Sequence, residues 1–190
     1  MKKISKYQNI HESLLFECSQ GNQKSQFEIY KLYYKAMFNA SLRIINNTED
    51  AEDIMQEAFL KAFNNLDKYK GEVSFGAWLK RIVVNKSLDY LRKRKIEFIP
   101  IDEGSDIVTE EDPGQGTDEN EKISYELLIE EINKLAEGYR IILTLYLIEN
   151  YSHSEIAEML KISSSTSRSQ FNRAKKRLLE NIKKINISRI

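Results

Sequence analysis

The sequence predicts an all-α fold: two small helical domains, residues 1–95 and 122–190, joined by a flexible acidic linker, residues 96–121. Apolar residues recur at spacings of three and four on both sides of the linker, as they do along one face of an α-helix. Only seven glycines and two prolines occur in 190 residues, which disfavours a turn-rich β fold. The linker holds both prolines, ten acidic residues and no Lys or Arg, a composition that cannot build a core.

Three helices are predicted in residues 25–95. The first spans 25–46, and we expect its core face to consist of Phe27, Tyr30, Leu32, Tyr34, Met37, Leu42 and Ile45. Thr48 is the predicted N-cap of the second helix, because acidic residues then occupy its first turn, at the positive end of the helix dipole. Gly71 is the expected pivot of the loop 67–74. The third helix starts at Phe75 or Ala77 and ends near residue 95.

The second and third helices each present two chemically different faces. In the second, the residues expected in the core are Ile54, Ala58, Phe59, Ala62 and Leu66, whereas Asp53, Gln56, Glu57 and Leu60 point elsewhere. The apolar stripe of the third is predicted to be Trp78, Ile82, Val83, Leu88 and Leu91. Its other side is basic, with Lys80, Arg81, Lys86, Arg92, Lys93, Arg94 and Lys95 opposed by Asp89 alone. An acidic face suits a basic protein surface, and a basic face suits phosphates.

Helical spacing returns in the second domain. Leu127, Leu128, Ile132 and Leu135 predict one helix, and Tyr139, Ile142, Leu145 and Tyr146 predict the next. Ser152 and Glu155 form the signature of a capping box at the start of a further helix. A tight turn at 161–163 then leads to a last helix, capped by Ser163. The residues predicted to face inward in that helix are Ser167, Phe171, Ala174 and Leu178.

The last helix has the side chains that a DNA-reading helix needs. With its apolar stripe inward, Arg168, Ser169, Asn172 and Arg173 face outward or lie at the flank. Arg can bind guanine, and Asn adenine, through paired hydrogen bonds in the major groove. The cations that follow, Lys175, Lys176 and Arg177, suit phosphates. Overall Lys plus Arg equal Asp plus Glu at 29 each, but outside the linker 29 basic residues face 19 acidic ones, as in a two-point nucleic-acid binder.

Two blocks of the chain resemble a known family. DAEDIMQEAFLKAF (50–63) followed by SFGAWLKRIVVNKSLDYLRKRK (74–95) resembles region 2 of bacterial RNA polymerase sigma factors of the extracytoplasmic-function (ECF) type. YSHSEIAEMLKISSSTSRSQFNRAKKRL (151–178) resembles the helix-turn-helix of sigma region 4. Two positions depart from the family pattern. Lys161 stands where the turn usually has Gly, and Ser167 stands where an inward Val is usual.

The resemblance implies a promoter-specific initiation factor with three sets of contact residues. The −35 element would be read by Arg168, Ser169, Asn172 and Arg173, with Lys175, Lys176 and Arg177 on phosphates. The −10 element would be melted and held by Tyr69, Lys80, Arg81, Asn85, Lys86, Asp89, Arg92 and Arg94. Core polymerase would be bound by Asp50, Asp53, Gln56, Glu57 and Leu60. Trp78 is expected to anchor the core.

The partners that the resemblance implies are promoter DNA, core RNA polymerase (the clamp helices of its largest subunit and its flap region) and an anti-sigma factor. No cofactor, metal site or catalytic residue is expected, because the chain has one cysteine and two distant histidines. His153 is expected to be exposed and Cys18 to be a small core residue. No signal peptide or membrane span is predicted, so we expect a cytoplasmic protein.

Two alternatives remain open from the sequence. A stand-alone helix-turn-helix regulator explains residues 151–178 but leaves residues 50–95 without a purpose. An RNA-binding or RNA-processing enzyme would use the basic helices but lacks an evident acid-base cluster.

Overall fold

The computed structural model describes residues 11–94 and 124–187, which divide into two compact units. No β-strand occurs in these two ranges, so the all-α prediction is confirmed. The first unit contains α1 (Glu12–Ser19), α2 (Gln23–Ile45), α3 (Thr48–Phe63), a 3₁₀ turn (Leu66–Lys68) and α4 (Phe75–Lys93). The second contains α5 (Tyr125–Asn133), α6 (Glu137–Leu143), a π-helical turn (Thr144–Ile148), α7 (His153–Leu160) and α8 (Ser164–Ile187). The predicted linker, 96–121, lies outside the described residues.

The core of the first unit forms where α2, α3 and α4 pack together, with α1 against α2. Its fully buried side chains include Ile29, Met37, Met55, Phe59, Phe75, Leu79 and Val83. The inward and outward sets predicted for α3 are confirmed, except that Leu66 follows the helix and is half-buried. The N-cap prediction was off by one residue. Asn47 caps α3, and its side chain accepts a hydrogen bond of 3.0 Å from the backbone N–H of Asp50.

The predicted core face of α2 was partly wrong. Phe27, Leu32 and Tyr34 are 59%, 55% and 37% exposed, while Ala40 and Ser41 are buried. The buried Ser41 hydroxyl lies 3.1 Å from the hydroxyl of Ser87 on α4. The inward face of α2 therefore combines large apolar residues, Ile29, Met37 and Ile44, with the small residues Ala40 and Ser41. The third-helix stripe was nearly right, with Trp78 and Ile82 half-buried instead of buried.

In the second unit α5 to α8 and the π-helical turn enclose a small core. It contains Ile132, Ile142, Leu145, Ile156, Leu160, Ala174 and Leu178. The capping box is confirmed, because Ser152 Oγ accepts from the Glu155 N–H (3.3 Å) and Glu155 Oε2 accepts from the Ser152 N–H (2.9 Å). Lys161 ends α7 in the left-handed region with φ 57°. The π-helical turn was not predicted, since its extra residue leaves the apolar spacing nearly helical.

Candidate nucleic-acid interfaces

Helix α8 places the predicted base-reading residues on one exposed face. Ser163 caps the helix, as predicted, and its hydroxyl accepts a 3.0 Å hydrogen bond from the Thr166 N–H. Arg168, Ser169 and Asn172 are exposed and Arg173 is half-buried. The three cations beyond them are also exposed: Lys175, Lys176 and Arg177. The opposite face is packed, so the helix has the two-sided character that major-groove binding requires.

The inward face of α8 contains two polar residues, Ser167 and Gln170, both buried. The hydroxyl of Ser167 lies 2.9 Å from Nδ1 of His153, the first residue of α7. His153 is therefore half-buried and not exposed, which corrects the prediction. Its ring stacks on Tyr146 at 4.4 Å and meets Phe171 edge-on at 5.5 Å. Burial, and then the charge of Arg168, hold the pKa of His153 below its usual value.

Helix α4 carries most of the residues predicted for the −10 element. Arg81, Asn85, Asp89 and Arg94 are exposed, and Lys80, Lys86 and Arg92 are half-buried. Several of these groups are paired within the unit. Asp89 forms an ion pair with Arg92 one turn later, and Arg94 Nη1 lies 3.2 Å from Asp50 Oδ2 on α3. The cationic face of α4 is therefore interleaved with carboxylates.

A charged groove runs along the surface between α3 and α4. It is lined on the α3 side by Asp50, Asp53, Ile54, Glu57 and Lys61, and on the α4 side by Lys86, Asp89, Tyr90, Arg92 and Lys93. Lys86 Nζ lies 2.6 Å from Glu57 Oε2 and crosses the groove. The hydrogen bond and charge of Lys86 hold the pKa of Glu57 below its usual value. Residues predicted for polymerase and residues predicted for DNA thus bind each other here, which the sequence did not indicate.

Beyond Asp50 and Glu57, α3 exposes the rest of its predicted docking residues, of which Asp53 also lines the groove. Asp53, Gln56 and Leu60 are exposed, and the exposed fraction of Leu60 is 64%. Gln56 Nε2 donates to Glu52 Oε1 at 3.3 Å.

The loop before α4 is built around Tyr69. Its hydroxyl donates a 2.8 Å hydrogen bond to the carbonyl of Val73, which closes the loop over Gly71 at φ 69°. The Tyr69 ring packs against Phe75 and Trp78, with centroids 5.7 Å and 5.3 Å away. Burial raises the pKa of Tyr69. Trp78 is half-buried and packs on the core, where it was predicted, and its ring also contacts Tyr69 of this loop.

Cys18 is buried, as predicted, and burial raises the pKa of its thiol. Within residues 11–94 and 124–187, no group of three or more His, Cys, Asp or Glu side chains could hold a metal ion. The helices described in those ranges are all too short or too polar to cross a membrane.

Comparison with known proteins agrees with this architecture. The family model for sigma-70 region 2 matches residues 29–96, and the model for sigma-70 region 4 matches residues 125–178. The chain is 30% identical to the ECF RNA polymerase sigma-E factor of Haemophilus influenzae, over 92% of this chain and 96% of that protein. It is 28% identical to the ECF sigma factor SigW of Bacillus subtilis, over 88% and 94% of the two chains.

Two solved structures share the fold. One is CnrH in complex with the cytosolic domain of CnrY, with a TM-score of 0.51, 22% identity and coverage of 90% of this chain and 95% of that one. The other is RpoE from Bartonella quintana in complex with the anti-sigma factor NepR, with a TM-score of 0.53, 23% identity and coverage of 82% and 95%.

The chain has two helical units, and the second contains a helix-turn-helix. Together with the matches to sigma-70 regions 2 and 4, this architecture defines a sigma-70 type initiation factor. The chain belongs to the ECF family of RNA polymerase sigma factors. Its function is promoter-directed initiation of transcription with RNA polymerase. The match to both regions favours this function over a stand-alone regulator or an RNA-processing enzyme.

Proposed function

We propose that three surfaces divide the work of promoter recognition: α8 reads the −35 element, α4 with the loop 69–74 holds the −10 element, and α3 docks on core polymerase. The proposal is supported by the opposite charge of these faces. Helices α8 and α4 expose cations, whereas α3 exposes carboxylates around the apolar Leu60. Each surface acts by binding, and polymerisation belongs to the core enzyme.

The −35 assignment rests on the order of side chains along α8. Arg168, Ser169 and Asn172 lie in the N-terminal half of the helix, where a recognition helix meets base edges. Lys175 and Lys176 come one to two turns later on the exposed side, where they can contact phosphates without reading sequence.

The −10 assignment rests on cations beside a loop of defined shape. Lys80, Arg81 and Lys86 can follow the backbone of a single strand, and Asn85 offers an exposed amide next to them. Tyr69 is held by Phe75, Trp78 and the carbonyl of Val73. Its base contact therefore involves the exposed edge of a fixed ring and not a freely moving side chain.

The α8 assignment can be tested with holoenzyme reconstituted from the purified chain and bacterial core polymerase. Transcription from a genomic fragment library gives the promoter elements. R168A and N172A should then each relax one −35 position, by roughly 1–3 kcal/mol. K176A should weaken binding to all promoters about equally. It should also reduce the number of counterions released on binding, which the salt dependence of the affinity measures, by about one. Unchanged −35 preference in both R168A and N172A would contradict the assignment.

The α3 assignment is tested by comparing two exposed leucines. L60A removes an apolar side chain from the proposed docking face, and L32A removes one of similar exposure from α2. Neither change should unfold the chain, since both side chains are largely in solvent. We expect L60A to weaken binding to core polymerase about tenfold, as for an anchor residue whose loss costs more than 1 kcal/mol, and L32A to leave it unchanged. Equal effects of the two would count against α3 as the docking surface.

Three further assignments follow from membership of the family. We infer that 1–95 and 122–190 are separate modules joined by 96–121, so proteolysis of the full chain should cut first within 96–121. We also propose the polymerase clamp helices and flap region as docking sites, and an anti-sigma factor as a regulatory partner. The anti-sigma partner can be sought by affinity purification of the chain from the native host, where the complex would assemble in the cytoplasm. A protein that co-purifies with the chain and is released when core polymerase is added would be such a partner.

A further inference from the structure

The recognition helix holds a buried hydroxyl on its inward face. Ser167 has no exposed surface and directly precedes Arg168, the first proposed base-reading residue. A hydroxyl moved from water into such a place is destabilising unless it is hydrogen-bonded. Its partner is not a turn of its own helix but Nδ1 of His153, at 2.9 Å. The hydrogen bond therefore joins the first residue of α7 to the start of α8.

The imidazole in this hydrogen bond is itself packed between two aromatic rings. Tyr146, from the π-helical turn, stacks on it with an interplanar angle of 18°, and Phe171 of α8 meets it at 69°. Tyr146 and Phe171 also contact each other, with centroids 4.5 Å apart. The two rings restrain the plane of the imidazole, and its Nδ1 lies 2.9 Å from the Ser167 hydroxyl.

The position of the Ser167 hydroxyl constrains the rotation of α8 about its axis, in addition to the packing of Ala174 and Leu178. Arg168 and Ser169 follow at about 100° per residue, the turn of an α-helix. The angle at which they leave the helix toward DNA is therefore tied to the His153–Ser167 hydrogen bond. Apolar packing by Ala174 and Leu178 is less directional and tolerates small rotations that a hydrogen bond does not.

We propose that His153 is a positioning residue for −35 recognition, which acts through its hydrogen bond to Ser167 and sets the orientation of α8. The inference rests on the proposed role of α8 as the −35 reader. His153 touches no DNA in this scheme. It makes the sequence preference of the helix depend on a contact on the buried side.

Three variants separate positioning from simple stability. His153→Phe (H153F) keeps an aromatic ring in the stack but removes the nitrogen, which leaves the Ser167 hydroxyl buried without its partner. Adding Ser167→Ala (H153F/S167A) removes that hydroxyl and should restore the thermal stability of the chain. His153→Asn (H153N) supplies an amide close to the position of Nδ1 and should keep the hydrogen bond.

The readout is discrimination by holoenzyme, measured as the ratio of its affinities for a promoter fragment with its own −35 element and with that element scrambled. We expect H153F to reduce this ratio about tenfold, the order of one weakened base contact. H153F/S167A should recover stability but keep the reduced ratio, and H153N should return to within about threefold of the unchanged chain.

Recovery of the ratio together with stability in the double variant would overturn the proposal, as would an unchanged ratio in folded H153F. If H153F does not fold, the same test is made with the other two variants. The discrimination ratio should then be low in H153F/S167A and close to that of the unchanged chain in H153N. R168A separates this outcome from failure of the proposed function. If R168A also leaves the ratio unchanged, α8 is not the −35 reader, whereas a response of R168A alone rejects only the role of His153.

Discussion

The ion pair between Glu57 and Lys86 gives a quantitative test of the groove between α3 and α4. Glu57→Gln (E57Q) removes the carboxylate charge and keeps the size of the side chain. The two side chains are 64% and 24% exposed and their charged atoms are 2.6 Å apart. A pair so accessible to water is screened, so we expect the change to lower the free energy of unfolding by about 0.5 kcal/mol.

Unfolding of the first unit can be followed separately, because Trp78 is the one tryptophan in the sequence. Its ring is half-buried against Tyr69 and Phe75, so its fluorescence changes when that packing is lost. For a unit of this size, urea lowers the free energy of unfolding by about 1 kcal/mol per molar. E57Q should therefore lower the urea midpoint at pH 7 by about 0.5 M.

The effect of E57Q should vanish in acid. The pKa of Glu57 is held below its ordinary value of 4.5 by Lys86. A carboxyl whose folded pKa is depressed contributes stability above its unfolded pKa and loses that contribution as pH falls through the folded value. The midpoint difference between the unchanged chain and E57Q should be constant from neutral pH down to about 5 and close below 4.5.

Lys86→Met provides the control, because it keeps most of the alkyl chain and removes the partner charge. In that background E57Q should have almost no effect, since the two changes share one interaction. A role for the ion pair would be contradicted if E57Q lowered the midpoint equally with and without Lys86, or if the difference persisted at pH 3.5.

The remaining predictions concern stability of the helical framework. S152A removes the hydroxyl of the capping box on α7 and should lower the free energy of unfolding by about 1 kcal/mol, measured by thermal circular dichroism; no loss would mean that Glu155 alone caps the helix. K161G relieves the left-handed backbone and should raise stability by about 0.5 kcal/mol, after the entropic cost of glycine; a lower melting temperature would contradict this. S87A leaves the buried Ser41 hydroxyl without a hydrogen-bond partner, whereas S41A leaves the Ser87 hydroxyl still donating to the Val83 carbonyl. The first should therefore cost about 1 kcal/mol more than the second in urea unfolding at Trp78, and the reverse order would show that Ser41 finds another partner.

Local sequence signals predicted the local structure well. The capping box at Ser152 and the cap at Ser163 involve residues within three positions of each other, and both are present. The two faces of α3 also followed from spacing, because carboxylates and apolar residues separate cleanly there. In α2 spacing partly failed, since Phe27 and Leu32 match the pattern but are exposed, whereas Ile29, Ile44 and the small residue Ser41 are buried.

The candidate surfaces were predictable as sets of residues but not as arrangements. Charge and spacing indicated the exposed face of α8 and the acidic face of α3. They did not indicate that Glu57 pairs with Lys86, 29 residues away. Nor did they show that His153 is packed, because an isolated histidine near a cap is usually in solvent. The polar Ser167 within an inward stripe was the one available signal that some partner had to be nearby.

The sequence by itself determined that this chain is an all-α sigma factor with a basic helix-turn-helix, because helical periodicity, caps and family motifs are written in neighbouring residues. Only the tertiary structure decided which side of α2 is buried, which charges meet across the groove, and what the Ser167 hydroxyl binds. Those outcomes depend on how closely helices distant in sequence approach one another, and packing distance is a property of the assembled unit rather than of any local pattern.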